Sequence, residues 1–298
     1  MPRRPMTAPA QGAAWMIAAA VSFSLMTWAI RELAPISASE IIFLRSLVGL
    51  FFVLPWLRLP EGRLLRRPRI GLFGLRAVMS YGAMLAWFYA IHHAVLADAV
   101  ALQFTLPLFT ILFAIVVFRE PVGMRRWSAT IIGFLGALVI IRPGFAEIDA
   151  AMALVLLSSA LYGATNIVVK YLTRFERAAT LVFYLHVLTL PMALAGALPY
   201  WVWPGWADLP WILILGATGT LAHYCFSRAM AAADASVVMP LDYLRLPMLA
   251  ALGYFAYGEA TTGWTWAGAA IICSSTFYIT RREAQIARAA RVSAAKPD

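Results

Sequence analysis

Charge is scarce in this chain. Only 13% of its 298 residues are Asp, Glu, Lys or Arg, about half the share of an average soluble domain. Acidic groups are the scarcest, 14 against 24 Lys and Arg, for a net charge of +10. A soluble fold so poor in polar surface could not shield its apolar atoms from water, which excludes an ordinary cytosolic domain. Cysteine is nearly absent. Cys225 and Cys273 both lie in apolar runs and no loop holds a pair, so buried free thiols are expected and a disulfide framework is excluded. HExxH, CxxC, GxSxG and Walker A sequences are missing as well. No catalytic residue, metal site or cofactor is therefore expected. The chain is not read as an enzyme, and an ATP-driven mechanism would need a partner.

What is present is apolar sequence: 62% of residues, with a mean hydropathy of +0.78. It falls into ten runs, at about 12–30, 38–57, 70–91, 95–118, 127–142, 150–170, 180–200, 210–231, 236–257 and 263–280. A spanning helix needs about 20 apolar residues. Ten such spans leave short loops and no room for a separate soluble domain. The first run lasts until Arg31, too long for the apolar core of a cleaved signal peptide, and is read as a helix that stays. The basic balance does not point to nucleic acid, because Lys and Arg sit in short clusters between the runs.

Those clusters test the layout. With a cytoplasmic N-terminus, nineteen of the 24 Lys and Arg fall on the inside: Arg3 and Arg4; Arg58 to Arg69; Arg119, Arg125 and Arg126; Lys170, Arg174 and Arg177; Arg228; and the tail from Arg281 to Lys296. Outer loops hold only Arg31 and Arg142, while Arg45, Arg76 and Arg245 lie within spans. That alternation satisfies the positive-inside rule and puts both termini in the cytoplasm. The segment with Trp201, Trp203, Trp206 and Trp211 falls outside, at headgroup level.

The chain also repeats itself. Ala97-Asp98-Ala99 recurs as Ala233-Asp234-Ala235, each before a span with a proline, Pro107 or Pro247. Each span ends at a glutamate, Glu120 or Glu259, with a tryptophan seven residues on, Trp127 or Trp266. Five spans per unit is odd, so the second unit enters the membrane from the opposite side. The expected fold is all-α: ten transmembrane helices as two inverted five-helix repeats around a central cavity. Residues 1–11 form a cytoplasmic segment, 12–143 the first repeat, 150–282 the second, and 283–298 a solvated basic tail.

The block Pro240-Leu241-Asp242-Tyr243-Leu244-Arg245, with Gly258-Glu259 after it, resembles the second repeat of EamA-type carriers in the drug/metabolite transporter superfamily. Phe43-Leu44-Arg45 and the stretch from Gln103 to Glu120 resemble the first. The resemblance covers about residues 12 to 282. It implies a basket with spans one, three, four, six, eight and nine around the cavity and spans five and ten peripheral. It speaks to fold more than to substrate, since members include amino-acid exporters of the YddG type and carriers of riboflavin or S-adenosylmethionine.

Polar groups at membrane depth are costly, by roughly 2.5–3.5 kcal/mol each for charges, so each invites a functional question. Asp242 and Arg245 are three apart, on one helix face. They either fix span nine near its cytoplasmic end as an ion pair, meet the charged ends of a zwitterion, or form a gate between the repeats. Pro107 and Pro247 each remove a backbone donor and are expected as hinges. Arg45 has Glu40 five residues away, on a face that does not quite coincide, and is read as structural. Arg76 is expected to snorkel to the cytoplasmic face. Tyr81, Gln103, Tyr162, Asn166, His223 and Tyr224 are candidate substrate contacts, with Trp87, Trp28 and Phe88 as stacking surface. Asp98 and Asp234 are expected as helix caps, Glu120 and Glu259 as structural, and His92 and His93 as exposed turn residues. Gly133, Gly136 and Gly268 permit close packing, so monomer and homodimer both stay open.

These features describe a secondary carrier of the bacterial-type inner membrane, with a small-molecule substrate and the bilayer as partners. An amino-acid exporter is expected, because aromatic and polar groups share the central spans. Carriers of riboflavin, S-adenosylmethionine or another nucleoside-like metabolite are the alternative. A membrane enzyme or scaffold is the alternative class. Proton coupling through Asp242 and facilitated diffusion both stay open.

Overall fold

The computed structural model describes residues 8–57, 69–103, 105–118, 150–232, 239–259 and 262–271, with parts of 128–139 and 273–278. Among these residues all regular structure is helical. The helices are α1 (Ala8–Glu32), α2 (Ala38–Leu57), α3 (Ile70–His93), α4 (Leu96–Gln103), α5 (Leu106–Phe118), α6 (Ala150–Leu172), α7 (Ala178–Ala197), α8 (Leu209–Ala232) and α9 (Arg245–Tyr257). Residues 263–271 are helical as well, and six helices, α1 to α3 and α6 to α8, are long and apolar enough to cross a membrane. Each satisfies its backbone internally, as hydrocarbon demands. The outer faces stay apolar and uncovered: Phe51 of α2, Val116 of α5 and Phe255 of α9 are all exposed. Most of span five, and Glu120, Trp127 and Asp234 with it, lie outside the described residues.

Spans four and nine are not the single helices that their apolar runs suggest. Span four stops at Gln103 and restarts at Leu106, with Thr105 in the turn between. Span nine enters as a 3-10 segment, Met239–Leu244, and becomes α-helical only at Arg245. Pro107 and Pro247 therefore sit in the first turn of α5 and α9, not at interior kinks. The first turn is where a missing N–H costs nothing, because its donors have no partner inside the helix. In both units the sequence Leu-Pro restarts the helix, as Leu106-Pro107 and Leu246-Pro247.

The packing obeys a two-fold rule. The helices α1 and α8 run along each other, and so do their counterparts α6 and α3. The pair α2 with α7 is its own counterpart, and so is span four with span nine; both are in contact, the latter through α4 and α9. The contact of α5 with α6 is matched by that of α9 and its 3-10 entry with α1. Chain direction is also fixed. The early α1 residue Trp15 meets Tyr224 and Arg228 late in α8, so those two helices are antiparallel. Lys170, late in α6, donates to the carbonyl of Met230, late in α8 (3.1 Å), so these two are parallel. Hence α1 and α6 run in opposite senses, and the repeats are inverted.

Small residues let the units interlock. A Cβ on Gly163 of α6 would lie 2.9 Å from Phe109 Cβ and 3.0 Å from the Thr110 backbone nitrogen of α5. One on Gly82 would meet only Leu161 Cδ1, at 3.5 Å. Gly163→Ala should thus lower the thermal unfolding midpoint, by an overpacking cost of about 1–3 kcal/mol. Gly82→Ala should leave it unchanged. Equal midpoints for the two variants would contradict the α5–α6 approach.

Candidate functional site

Five helices bring one side chain each to a common level, three of them polar. Phe23, Arg45, Met84, Tyr162 and His223 lie near the middle of α1, α2, α3, α6 and α8, and Gln103 and Arg245 stand at the breaks of spans four and nine. The breaks matter because an interrupted helix brings polar groups to mid-depth without a lipid-facing backbone. Arg245 is the hub. Its Nη1 donates to Asp242 Oδ2 and its Nη2 to Gln103 Oε1, each at 3.3 Å. Its guanidinium carbon lies 4.9 Å from the centre of the Phe23 ring. The expected Asp242–Arg245 pair thus forms, with Gln103 beside it.

Phe23 also meets the His223 ring edge-on at 5.3 Å. Arg45, fully buried, reaches His223 Nε2 with Nη1 (3.4 Å) and Met84 Sδ with Nη2 (3.2 Å). Two guanidiniums therefore occupy this level. Among the described residues one carboxylate, Asp242, pairs with Arg245 and none pairs with Arg45. Burying such cations without full compensation is costly. Several valences are open: Asp242 Oδ1, Arg245 Nε and Arg45 Nε are buried with no hydrogen-bond partner among the described residues. Tyr162 and His223 are enclosed by protein, yet each keeps part of its surface accessible.

The other candidates distribute elsewhere. Asn166 lies one turn beyond Tyr162, on the same face of α6. Tyr224 stacks edge-on against Trp15, towards the far end of α8. Tyr81 bonds Ser39 Oγ at 3.1 Å and abuts Gly196, away from the hub. Trp87 and Phe88 are buried in the main apolar core with Ile30, Ile41 and Ile91, so neither offers a stacking surface here. Arg76 does not snorkel: it is buried and donates to the Leu181 carbonyl at 2.7 Å. Asp98 is the third residue of α4, inside the helix and not its cap, and accepts from Thr265 across the bundle. His92 is half-buried against the Ile30 carbonyl, and His93 stacks on Tyr89.

At the end of the bundle marked by the α1 C-terminus, a second cluster joins the repeats. Arg31 pairs with Glu259 and covers the Tyr257 ring at 4.7 Å. Glu32 Oε1 accepts from Tyr257 (2.8 Å) and Trp28 (3.0 Å), and Trp28 packs on Trp211. Gly258, at φ +65°, closes α9 with a left-handed turn in which Glu259 N bonds the Gly253 carbonyl, and this turns Glu259 towards α1. Glu40 sits at the same end, buried, accepting from Val202 N (3.1 Å) and not from Arg45.

Sequence reasoning missed three groups. His186 is fully buried and bonds Thr220 at 3.1 Å, Phe23 unites the two guanidinium systems, and Glu32 anchors the end cluster. A histidine amid the apolar run of span seven was a legible signal. A phenylalanine on an apolar helix was not.

Comparison with known proteins places this geometry. The family model for EamA-like transporters matches residues 10–142 and again 149–281. A riboflavin transporter of Rhizobium johnstonii is 36% identical over 91% of both chains. One of Vibrio cholerae is 32% identical, covering 95% of this chain and 97% of that one. An S-adenosylmethionine uptake transporter of Rickettsia prowazekii is 26% identical over 80% of this chain and 82% of the other. A solved crystal structure superposes with a TM-score of 0.68 over 92% of this chain and 98% of that one, at 16% identity, a likeness of fold.

Proposed function

The chain belongs to the EamA-like transporter family, and from that premise we propose that it carries riboflavin or a closely related flavin across the membrane. It is a multi-pass protein of the bacterial inner membrane and a transporter of small metabolites. In this reading ten helices, with both termini cytoplasmic, enclose a central cavity that opens to one side at a time. Tyr162 and His223, enclosed and still accessible, border that cavity. The binding groups are Phe23, Gln103, Tyr162, His223, Asp242 and Arg245, with Asn166 and Tyr224 towards the cytoplasmic side.

The observation that carries the substrate reading is the pair of open valences at the hub. Arg245 Nε is a buried donor and Asp242 Oδ1 a buried acceptor on two side chains that bond each other, and neither atom is partnered among the described residues. A flavin ring offers a matching edge, an imide N–H between two carbonyls. A molecule that fills both valences removes two desolvation penalties of about 1–3 kcal/mol each, more for charged groups. Phe23 supplies an apolar ring beside that edge. The relatives named as riboflavin transporters point the same way.

Radiolabelled riboflavin uptake into proteoliposomes of the pure protein tests this. Expected is saturable uptake that excess unlabelled riboflavin abolishes and empty vesicles lack. Uptake no greater than in empty vesicles would overturn the flavin reading. Amino-acid export stands as a second reading, favoured by the opposite charges of Asp242 and Arg245, which suit a zwitterion. It predicts counterflow of labelled amino acids and no flavin flux.

A further inference from the structure

We propose that Arg45 is a positioning residue that holds the His223 ring with its proton on Nδ1. His223 then meets the transported molecule as a hydrogen-bond donor, and the site selects substrates with a carbonyl or ring-nitrogen acceptor at that point. The ligand half of this statement rests on the site proposed above. The half concerning Arg45 does not.

A guanidinium has five N–H donors and no acceptor. Arg45 Nη1 lies 3.4 Å from His223 Nε2, so that nitrogen can only accept. In a neutral imidazole the proton must then sit on the other nitrogen. Turning the ring over would put Cε1 against the guanidinium and forfeit that hydrogen bond, so the same contact also fixes which way the ring faces.

Arg45 has no freedom to retract. A Cβ on Gly219 would lie 3.2 Å from Arg45 Cδ, so the stem runs in a groove of α8 that glycine leaves, one helical turn before His223. Met84 Sδ holds Nη2 at 3.2 Å. Phe23 fixes the plane of the imidazole from the opposite side, at 88° and 5.3 Å. Arg45 is itself fully buried and cannot be reached by substrate in this state. His223 keeps accessible surface, and among the described residues no side chain bonds Nδ1.

The result is a site of donors. The His223 ring and the Arg245 guanidinium both lie against Phe23. Gln103 gives its carbonyl oxygen to Arg245, which leaves its amide hydrogens to donate as well. Among the described residues Asp242 is the one carboxylate at this level. An acceptor-rich heteroaromatic edge fits this arrangement, and an ammonium group facing His223 does not.

The test is nitrogen NMR of full-length protein labelled at its four histidines, with His223→Gln identifying the His223 signals. Expected is the Nδ1–H pattern in the wild type, although free histidine favours the other tautomer. Arg45→Lys, which keeps a donor, should retain it. Arg45→Met should shift His223 to the Nε2–H form and raise KM for riboflavin about tenfold, the loss of one hydrogen bond, with kcat held within about twofold. An Nε2–H signal in the wild type overturns the proposal, and this reading needs no variant to fold. An unchanged tautomer in folded Arg45→Met overturns it too. If riboflavin is not carried but the tautomer follows Arg45, the flavin reading fails and the positioning role stands.

Discussion

Arg245→Lys should reduce kcat/KM for riboflavin uptake at least 100-fold while leaving the protein folded and monodisperse. The charge survives this change, so Asp242 keeps a counter-ion and the buried pair is not orphaned. What disappears is the fork. Arg245 spans Asp242 Oδ2 and Gln103 Oε1 with two nitrogens and keeps a third, Nε, open. An ammonium is a point charge that cannot hold both partners and offer a further directed donor. The substrate then loses both proposed contacts, the donor Nε and an Asp242 Oδ1 no longer held in register; two charge-assisted hydrogen bonds at about 1.5–3 kcal/mol each correspond to a factor of 100 or more. Arg245→Met goes further and strands Asp242 at mid-depth, where removing one partner costs roughly 3–5 kcal/mol of stability. Adding Asp242→Asn should recover the folding midpoint and not the uptake. Proteoliposome flux and thermal unfolding together separate the two effects. Wild-type flux in Arg245→Lys would remove Arg245 from the substrate site.

The second large effect is expected at the end of the bundle where α1, α8 and α9 converge. Arg31 and Glu259 are 228 residues apart and their pairing ties one repeat to the other. Both side chains are mostly buried, at 17% and 13% exposure. Arg31→Glu and Glu259→Arg should each lower stability by about 3 kcal/mol, a fall of roughly 6–12 °C in the unfolding midpoint for a chain of this size. The double exchange, Arg31→Glu with Glu259→Arg, should recover most of that loss, since the pair is then re-formed with its signs reversed. Tyr257 binds both Arg31 and Glu32, so recovery should be incomplete. Additive losses in the double exchange would show that the two groups do not interact. If this end must part and close in each transport cycle, the single variants should also slow flux, and the exchange should restore it.

How much of this could be read from the sequence depends on how local each feature is. The apolar runs set six long helices almost to their ends, because hydrocarbon forces a segment to satisfy its own backbone and length then becomes diagnostic. Inversion of the repeats followed from an odd number of runs. Asp242 and Arg245 were legible as a pair because three residues on a helix share a face. Glu40 and Arg45, five apart, do not pair with each other. The breaks in spans four and nine were not legible as such. Pro107 and Pro247 announced a disturbance, but a kink inside one helix and a restart of a second have the same sequence.

The sequence by itself determined the six helices that are long and apolar enough to cross a bilayer, and that the second unit inverts the first. Those properties come from composition along the chain and from counting, and they need no partner. Tertiary structure alone decided that Arg45 faces His223, that Arg245 reaches Gln103 across 142 residues of chain, that Arg31 finds Glu259, and that Trp87 is core. The physical reason is that a buried polar group takes whichever partner packing brings within about 3 Å. Helical periodicity fixes the face a residue lies on, and only the docking of one helix against another fixes what that face meets.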